Sequence, residues 1–231
     1  MNFKDVERVL IFAAHHDDEV IGAAGTIKKL TQDGKKVHVV FATDGSTGID
    51  HTRKFEKKIK SVRIEESEKV AKFLGIEETQ NWNEKCQDLT YNSVLLQKAI
   101  KKIRSFRPDL IITHTSKEKH SDHKALSKIV IQASWKSSED ILPDLGEPFR
   151  VNSVWGFEVV DVYDKVDYSV DISDTFESKI HAMSIYSSQE NVVTGINQII
   201  TGLSMVRGYG IGKKHAEGFV NISLQTSEVK L

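Results

Sequence analysis

Apolar positions in this chain come as short branched runs separated by charged, periodic stretches. Val9-Leu10-Ile11-Phe12 is the first such run, and through Ala13-Ala14 it ends in five titratable side chains, His15-His16-Asp17-Asp18-Glu19. A run this short reads as a buried parallel strand whose end opens into a polar site. From 20 to 31 the spacing turns helical, and Gln32-Asp33-Gly34 supplies a glycine stop. Residues 36–43 predict a second strand, and 44–51 a loop dense in Gly, Ser and Asp. A long charged helix follows over 54–74, ended by Gly75, then a weak strand over 79–82 and a helix over 93–106. Pro108-Asp109 introduces a fourth strand over 110–115, and His120-Ser121-Asp122-His123 leads into a helix over 125–135.

This alternation implies an α/β fold, a Rossmann-like, mostly parallel sheet flanked by helices and joined by right-handed crossovers. The last third is less regular. Residues 138–148 hold two of the three prolines and read as a loop. Strands over 153–161 and 166–172 are expected to form a hairpin added to the sheet, and 175–186 a helix capped by Ser173 or Asp174. No linker, low-complexity tract or internal repeat interrupts the chain, so residues 1–231 read as one domain with a small C-terminal hairpin and helix subregion.

Bulk properties narrow the partners. Lys+Arg number 32 and Asp+Glu 33, a formal net charge of -1, which argues against nucleic acid or an anionic membrane surface. The single cysteine, Cys86, excludes a disulfide framework and points to a reducing compartment. The N-terminal residues lack an apolar signal segment, and no apolar run approaches a membrane span. A soluble, cytoplasmic protein is the expectation.

The candidate chemistry lies at strand ends. Five titratable groups in a row repel one another and lose solvation if simply buried, and a cation in their midst relieves that cost. His15 and Asp18 are three residues apart, as are His120 and His123, and the two groups follow the first and fourth predicted strands. In an open parallel sheet such strands often flank the topological switch point, where ligands bind. Two histidines and a carboxylate leave positions open on a metal, as catalytic rather than structural sites do. Most isolated His-x-x-His pairs are unrelated loop residues; two groups at two strand ends favour a site.

These residues carry a resemblance. Ala14-His15-His16-Asp17-Asp18-Glu19 resembles the Ala-His-Pro-Asp-Asp-Glu signature of the LmbE-like, or PIG-L-type, zinc deacetylases, and His120-Ser121-Asp122-His123 resembles their His-x-Asp-His motif. Weaker matches follow in order: Arg63-x-x-Glu66, Leu74-Gly75, Pro108-Asp109, Lys179-x-x-Ala182, Ser188-Gln189 and Ala216-Glu217-Gly218-Phe219. His16 stands where the family has proline, and Tyr186 where its C-terminal motif has histidine. The resemblance implies zinc held by His15, Asp18 and His123, with Fe2+ or Co2+ accepted by the same ligands, and Asp17 as general base. It further implies hydrolysis of the acetyl group of an N-acetylated amino sugar, such as an N-acetylglucosamine conjugate. His120 would donate to the oxyanion and Asp122 would orient an imidazole. Arg63 is a candidate contact to acetyl or sugar oxygens, although on a solvated helix it would simply pair with Glu66. Asp44 is a candidate for sugar hydroxyls, although Asp-Gly is also an ordinary turn. His114 reads as an outer partner of the site, Glu19 as support for the turn, and Cys86 as a loop residue without a matching histidine motif. Relatives with this fold are often oligomeric, and a homo-oligomer stays open here.

Two other classes fit parts of the pattern. A non-haem Fe(II) enzyme uses the same two-histidine, one-carboxylate set, though the spare carboxylate Asp17 suits hydrolysis better. A nucleotide-binding module would need Gly-x-Gly-x-x-Gly after the first strand, where Gly22 and Gly25 alone remain.

Overall fold

The computed structural model describes residues 5–46, 56–189 and 195–224, so most of the loop expected at 44–51 and the expected start of its following helix lie outside the described residues. Along the chain the elements are β1 (Arg8–Ala13), α1 (Asp18–Gln32), β2 (Lys36–Thr43), α2 (Glu56–Leu74), β3 (Glu78–Glu84), α3 (Ser93–Phe106), β4 (Leu110–Thr113) and α4 (Ser121–Lys136). There follow β5 (Ser153–Phe157), β6 (Tyr168–Asp171), α5 (Phe176–Ile185), α6 (Ile196–Tyr209) and β7 (Ala216–Asn221). The seven strands form one sheet in the order β3-β2-β1-β4-β5-β7-β6. The first five in that order run parallel, while β7 is antiparallel to both β5 and β6.

Successive side chains on a strand point to opposite faces, and the core divides accordingly. Val9, Ile11, Val37, Val39, Leu110 and Ile112 face a layer built by α1, α2, α5 and α6. Leu10, Phe12, Val40, Ala42 and Ile111 face α3 and α4. Both faces are covered, which explains why the strands read as continuous apolar runs rather than alternations.

Helix α1 lies tight on the sheet. A Cβ on Gly22 would come within 2.7 Å of Phe157, and one on Gly25 within 2.8 Å of Ile172. These glycines serve helix–sheet contact, not a phosphate, which removes the support for a nucleotide-binding reading.

Three expectations are corrected. The strands at 153–161 and 166–172 do not form a hairpin, because β7 is inserted between β5 and β6 and pairs with each. Thr175 precedes α5 without a side-chain cap, and the Ser173 hydroxyl bonds Asp171 Oδ1 instead. Helix α4 begins at Ser121, placing Asp122 and His123 in its first turn with His120 as the capping residue, whose Nδ1 accepts from the Asp122 N–H at 3.2 Å. No helix among the described residues is long and apolar enough to cross a membrane.

Candidate active site

Strand order reverses at β1, with β2 on one side and β4 on the other, so the carboxyl ends of β1 and β4 open at the switch point. The β1–α1 turn delivers His15 to Asp18, and the β4–α4 connection delivers Glu118 to His123. Asp17 adopts φ 134 and ψ -25, a conformation L residues rarely take. Its backbone is held by hydrogen bonds: its N–H donates to Glu19 Oε2 at 3.1 Å, and its carbonyl accepts from Val20 and Ile21, each at 2.9 Å. Such strain persists only where surroundings fix it, commonly at working sites.

Three donors converge. His15 Nδ1 lies 3.2 Å from His123 Nε2 and 3.4 Å from Asp18 Oδ2, and Asp18 Oδ1 lies 3.4 Å from His123 Nε2. A zinc ion with bonds of 2.0–2.1 Å at tetrahedral angles sets its ligand atoms about 3.3–3.4 Å apart, so the residues present fit such an ion. Overlapping sets, His15–His120–His123 and Asp18–His114–His123, also keep their ligand atoms within 4.8 Å of one another. Each of the three donors is steadied from behind. His15 Nε2 lies 3.1 Å from Asp122 Oδ2, His123 Nδ1 lies 3.4 Å from Glu118 Oε2, and Asp18 Oδ2 accepts from the His15 N–H at 2.7 Å. Asp122 is itself fixed by the N–H groups of Gln87 (2.8 Å) and Leu89 (3.2 Å). Outer partners of this kind set the tautomer and direction of metal-binding imidazoles.

The electrostatics follow from burial and neighbours. Burial pushes the Asp17 carboxyl up, the Arg63 guanidinium at 3.2 Å pulls it down, and the balance stands at about 6. Burial lowers His123, but Asp18 and Glu118 more than offset that and leave it up at about 9. Burial, and then Arg63, hold His16 down at about 4; its Nε2 lies 2.7 Å from Asn81 Oδ1 and its ring stacks on Phe41. Burial drives Glu19 up to about 8, although the Tyr186 hydroxyl donates to it at 2.6 Å. His120 is half-buried, and its burial, with His15 and His123 beside it, holds its imidazole below the usual value.

A cavity of about 370 Å³ opens onto this cluster. His15, Asp17, Asp18, Arg63, His120 and His123 line one part of it, and Ile21, Val159, Val160, Ile196 and Ile199 line an apolar part. Arg63 is buried rather than solvated, and Glu66 is not its partner: Glu66 accepts from Ser187 and Ser188, while Arg63 donates to the His16 carbonyl and pairs with Asp17. Asp44 is not among the cavity residues; it accepts from the N–H groups of Ser46 (3.1 Å) and Cys86 (3.4 Å). Cys86 is buried at the cavity and grouped with His15 and Asp122, closer to histidine than its loop position suggests. Glu118 and Gln189 join the site without having been legible beforehand. Glu118 sits in Lys117-Glu118-Lys119, which looks like a solvated run, and Gln189 has only the weak Ser188-Gln189 match.

A strand-end cluster able to hold a cation, with a near-neutral carboxylate beside it and a cavity in front, is the arrangement of water-activating hydrolases. The chain belongs to the PIG-L (GlcNAc-PI de-N-acetylase) family, whose model matches residues 10–134. It is 30% identical over 227 residues to the diacetylchitobiose deacetylase of Thermococcus kodakarensis, covering 94% of this chain and 83% of that one. Its structure matches the N,N'-diacetylchitobiose deacetylase of Pyrococcus horikoshii with TM-score 0.85 at 28% identity, covering 97% and 89% of the two chains. GalB, a 4-carboxy-2-hydroxymuconate hydratase of Pseudomonas putida, matches with TM-score 0.84 at 19% identity, covering 97% of this chain and 100% of its own. That last likeness concerns the fold alone. The relatives indicate a hydrolytic N-deacetylase.

Proposed function

We propose that this protein removes the acetyl group from an N-acetylated amino sugar of the N-acetylglucosamine-conjugate type, with zinc held by His15, Asp18 and His123. The observation that carries the reading is the convergence of His15 Nδ1, His123 Nε2 and the Asp18 carboxylate within 3.4 Å of one another, beside Asp17 and at a cavity. Fe2+ or Co2+ would fit the same donors. Bound there, the ion would polarise the acetyl carbonyl and lower the pKa of water towards ~7.

The side chains supply the rest. Asp17, at about 6, is ionised at neutral pH yet basic enough to take a proton from the attacking water. The water oxygen bonds to the amide carbon, and the C–N bond breaks to leave acetate and a free amine. The proton passes from Asp17, or from His120, to the departing nitrogen. With Nδ1 accepting from the Asp122 N–H, a neutral His120 would carry its proton on Nε2, turned from Gln87 Nε2 at 3.3 Å to donate to the developing oxyanion. Asp122 holds His15 in register. Arg63 acts on Asp17 and, lining the same cavity, would also be in reach of acetyl or sugar oxygens, whereas Asp44 is not among the cavity residues.

The test is amine release from N-acetylglucosamine and N,N'-diacetylchitobiose by purified protein, after metal analysis, with and without added zinc. Metal-dependent release supports the reading. About one tightly bound zinc per chain without release would leave a hydrolase with a different acyl substrate. A protein that binds no metal and releases no amine would overturn it.

A further inference from the structure

Glu118 is fully buried, and its two oxygens face different parts of the site. Oε2 faces His123 Nδ1 at 3.4 Å. Oε1 accepts from the Val159 N–H at 3.2 Å, the Val160 N–H at 3.3 Å and the Tyr163 hydroxyl at 3.4 Å. Val159 and Val160 form part of the apolar cavity wall, whereas His123 belongs to the cation cluster. One carboxylate therefore touches both.

The segment carrying the wall has other supports as well, and the Lys119 N–H donates to Asp161 Oδ2 at 2.6 Å. Tyr163 meets the Thr115 hydroxyl, and its N–H donates to Glu158 Oε1 at 2.8 Å. Arg207 of α6 pairs with Glu158 and also donates to the Tyr163 carbonyl. Among the described residues, the ion-pair partner of Glu118 is His123, with no lysine or arginine at ion-pair distance. A buried carboxylate so placed depends on these few donors, because an unpaired buried charge is costly. An imidazole that donates Nδ1–H to it turns the Nε2 lone pair towards the cluster. When Nε2 shares that pair with a cation, the ring becomes more positive and Nδ1–H a stronger donor, which draws Oε2 closer.

We propose that Glu118 is a positioning residue that couples occupation of the cation site to the rigidity of the Val159–Val160 wall. The inference rests on the metal-site reading above. Coupling of this kind is reciprocal, so whatever orders the wall also tightens the cation site.

The experiment compares the full-length wild type with Glu118→Gln and Tyr163→Phe. Zinc affinity is read by chelator competition, the cobalt-substituted protein by its visible spectrum, and amide exchange at Val159 and Val160 by NMR with and without zinc. The wild type is expected to slow exchange at both amides on loading. Glu118→Gln is expected to weaken zinc binding by about 10–100-fold, shift the cobalt spectrum and lose the zinc-dependent protection. Tyr163→Phe, which removes one donor from the same oxygen, should reduce that protection while retaining most of the affinity.

Unchanged exchange in the loaded wild type would overturn the proposal, as would zinc affinity and a cobbalt spectrum in Glu118→Gln matching the wild type. If Glu118→Gln does not fold, Tyr163→Phe decides: full zinc-dependent protection there overturns the coupling. A wild type that binds no divalent ion overturns both this inference and the metal site. Normal zinc binding and amine release with an indifferent Glu118→Gln overturns the coupling alone.

Discussion

Replacing Arg63 with glutamine is expected to move the acidic limb of kcat/KM to higher pH. The guanidinium lies 3.2 Å from Asp17 Oδ2, and both side chains are buried. Asp17 stands at about 6 because burial and Asp18 push it up while Arg63 pulls it down. At that separation, with an effective dielectric near 20, two unit charges attract by about 5 kcal/mol. Relaxation around the lost charge takes back part of this, and carboxylates paired with arginine shift by about 1–3 pH units, or about 1.4–4 kcal/mol. The sign is fixed: without the cation the charged form of Asp17 is disfavoured, so its pKa rises from about 6 to about 7–9.

A general base must be ionised to work, so at pH 7 its active fraction falls from about 0.9 to between about 0.5 and 0.01. Activity at pH 7 should therefore drop by about 2–100-fold and recover towards pH 9. A bound cation lowers Asp17 in wild type and variant alike, so the limb shifts by the same difference from a lower start and the loss at pH 7 shrinks accordingly. The assay is kcat/KM against pH on both proteins at matched metal content, with Arg63→Lys as a charge-retaining control. An acidic limb that stays within about 0.3 pH unit of wild type in folded, metal-loaded Arg63→Gln refutes the reasoning.

Asp17→Asn should keep its metal and lose about 100-fold or more in kcat, and near-wild-type turnover in the loaded variant would remove Asp17 as base. His123→Ala should lose the metal first and activity as a consequence; full occupancy by elemental analysis would strike it from the ligands. His120→Ala should lower kcat by about 100-fold with metal retained, and an unchanged kcat would take His120 out of the reaction. Because His120 also caps α4, the same variant should lose about 1 kcal/mol of stability, read separately by thermal melting. Gly22→Ala brings a Cβ to 2.7 Å from the Phe157 ring and should cost about 1–3 kcal/mol in an unfolding titration; no loss would mean that α1 moves off the sheet freely.

What could be read from the chain was what is local. Helix α3 stands over the 93–106 stretch its periodicity predicts, because Asn92 accepts from the Leu95 N–H at one end and Arg107 turns left-handed ahead of Pro108 at the other. The parallel strands and the two strand-end clusters were legible for the same reason: each is written in under ten consecutive residues. Strand β7 was not, since its place between β5 and β6 depends on partners about 45–66 residues earlier, and no local pattern encodes insertion over hairpin pairing. The weak family matches at Lys179 and Glu217 also proved to be scaffold. Glu217 accepts from the N–H groups of Gly25 and Thr26 and pairs with Lys179, tying β7 and α5 to α1.

Buried charges were the least legible feature, and they change the argument for the cation. A run of five titratable residues suggests repulsion that a cation in their midst would relieve, but the structure relieves much of it by protonation state. His16 is held neutral by burial and Arg63, and Glu19, pushed up to about 8, keeps its proton through most of the neutral range with Tyr186 against it. The two departures from the family pattern act in different ways: His16 is itself held neutral, whereas Tyr186 donates to Glu19 and so opposes the rise that burial causes. Arg63, which the charged face of α2 disguised as a solvent residue, offsets Asp17. The remaining charge is Asp18 between two imidazoles, each backed by its own carboxylate, Asp122 for His15 and Glu118 for His123. The case for a cation therefore rests on where three donor atoms point, not on how many charges stand in a row, and substituting Glu118 or Asp122 tests it more directly than neutralising Glu19 would.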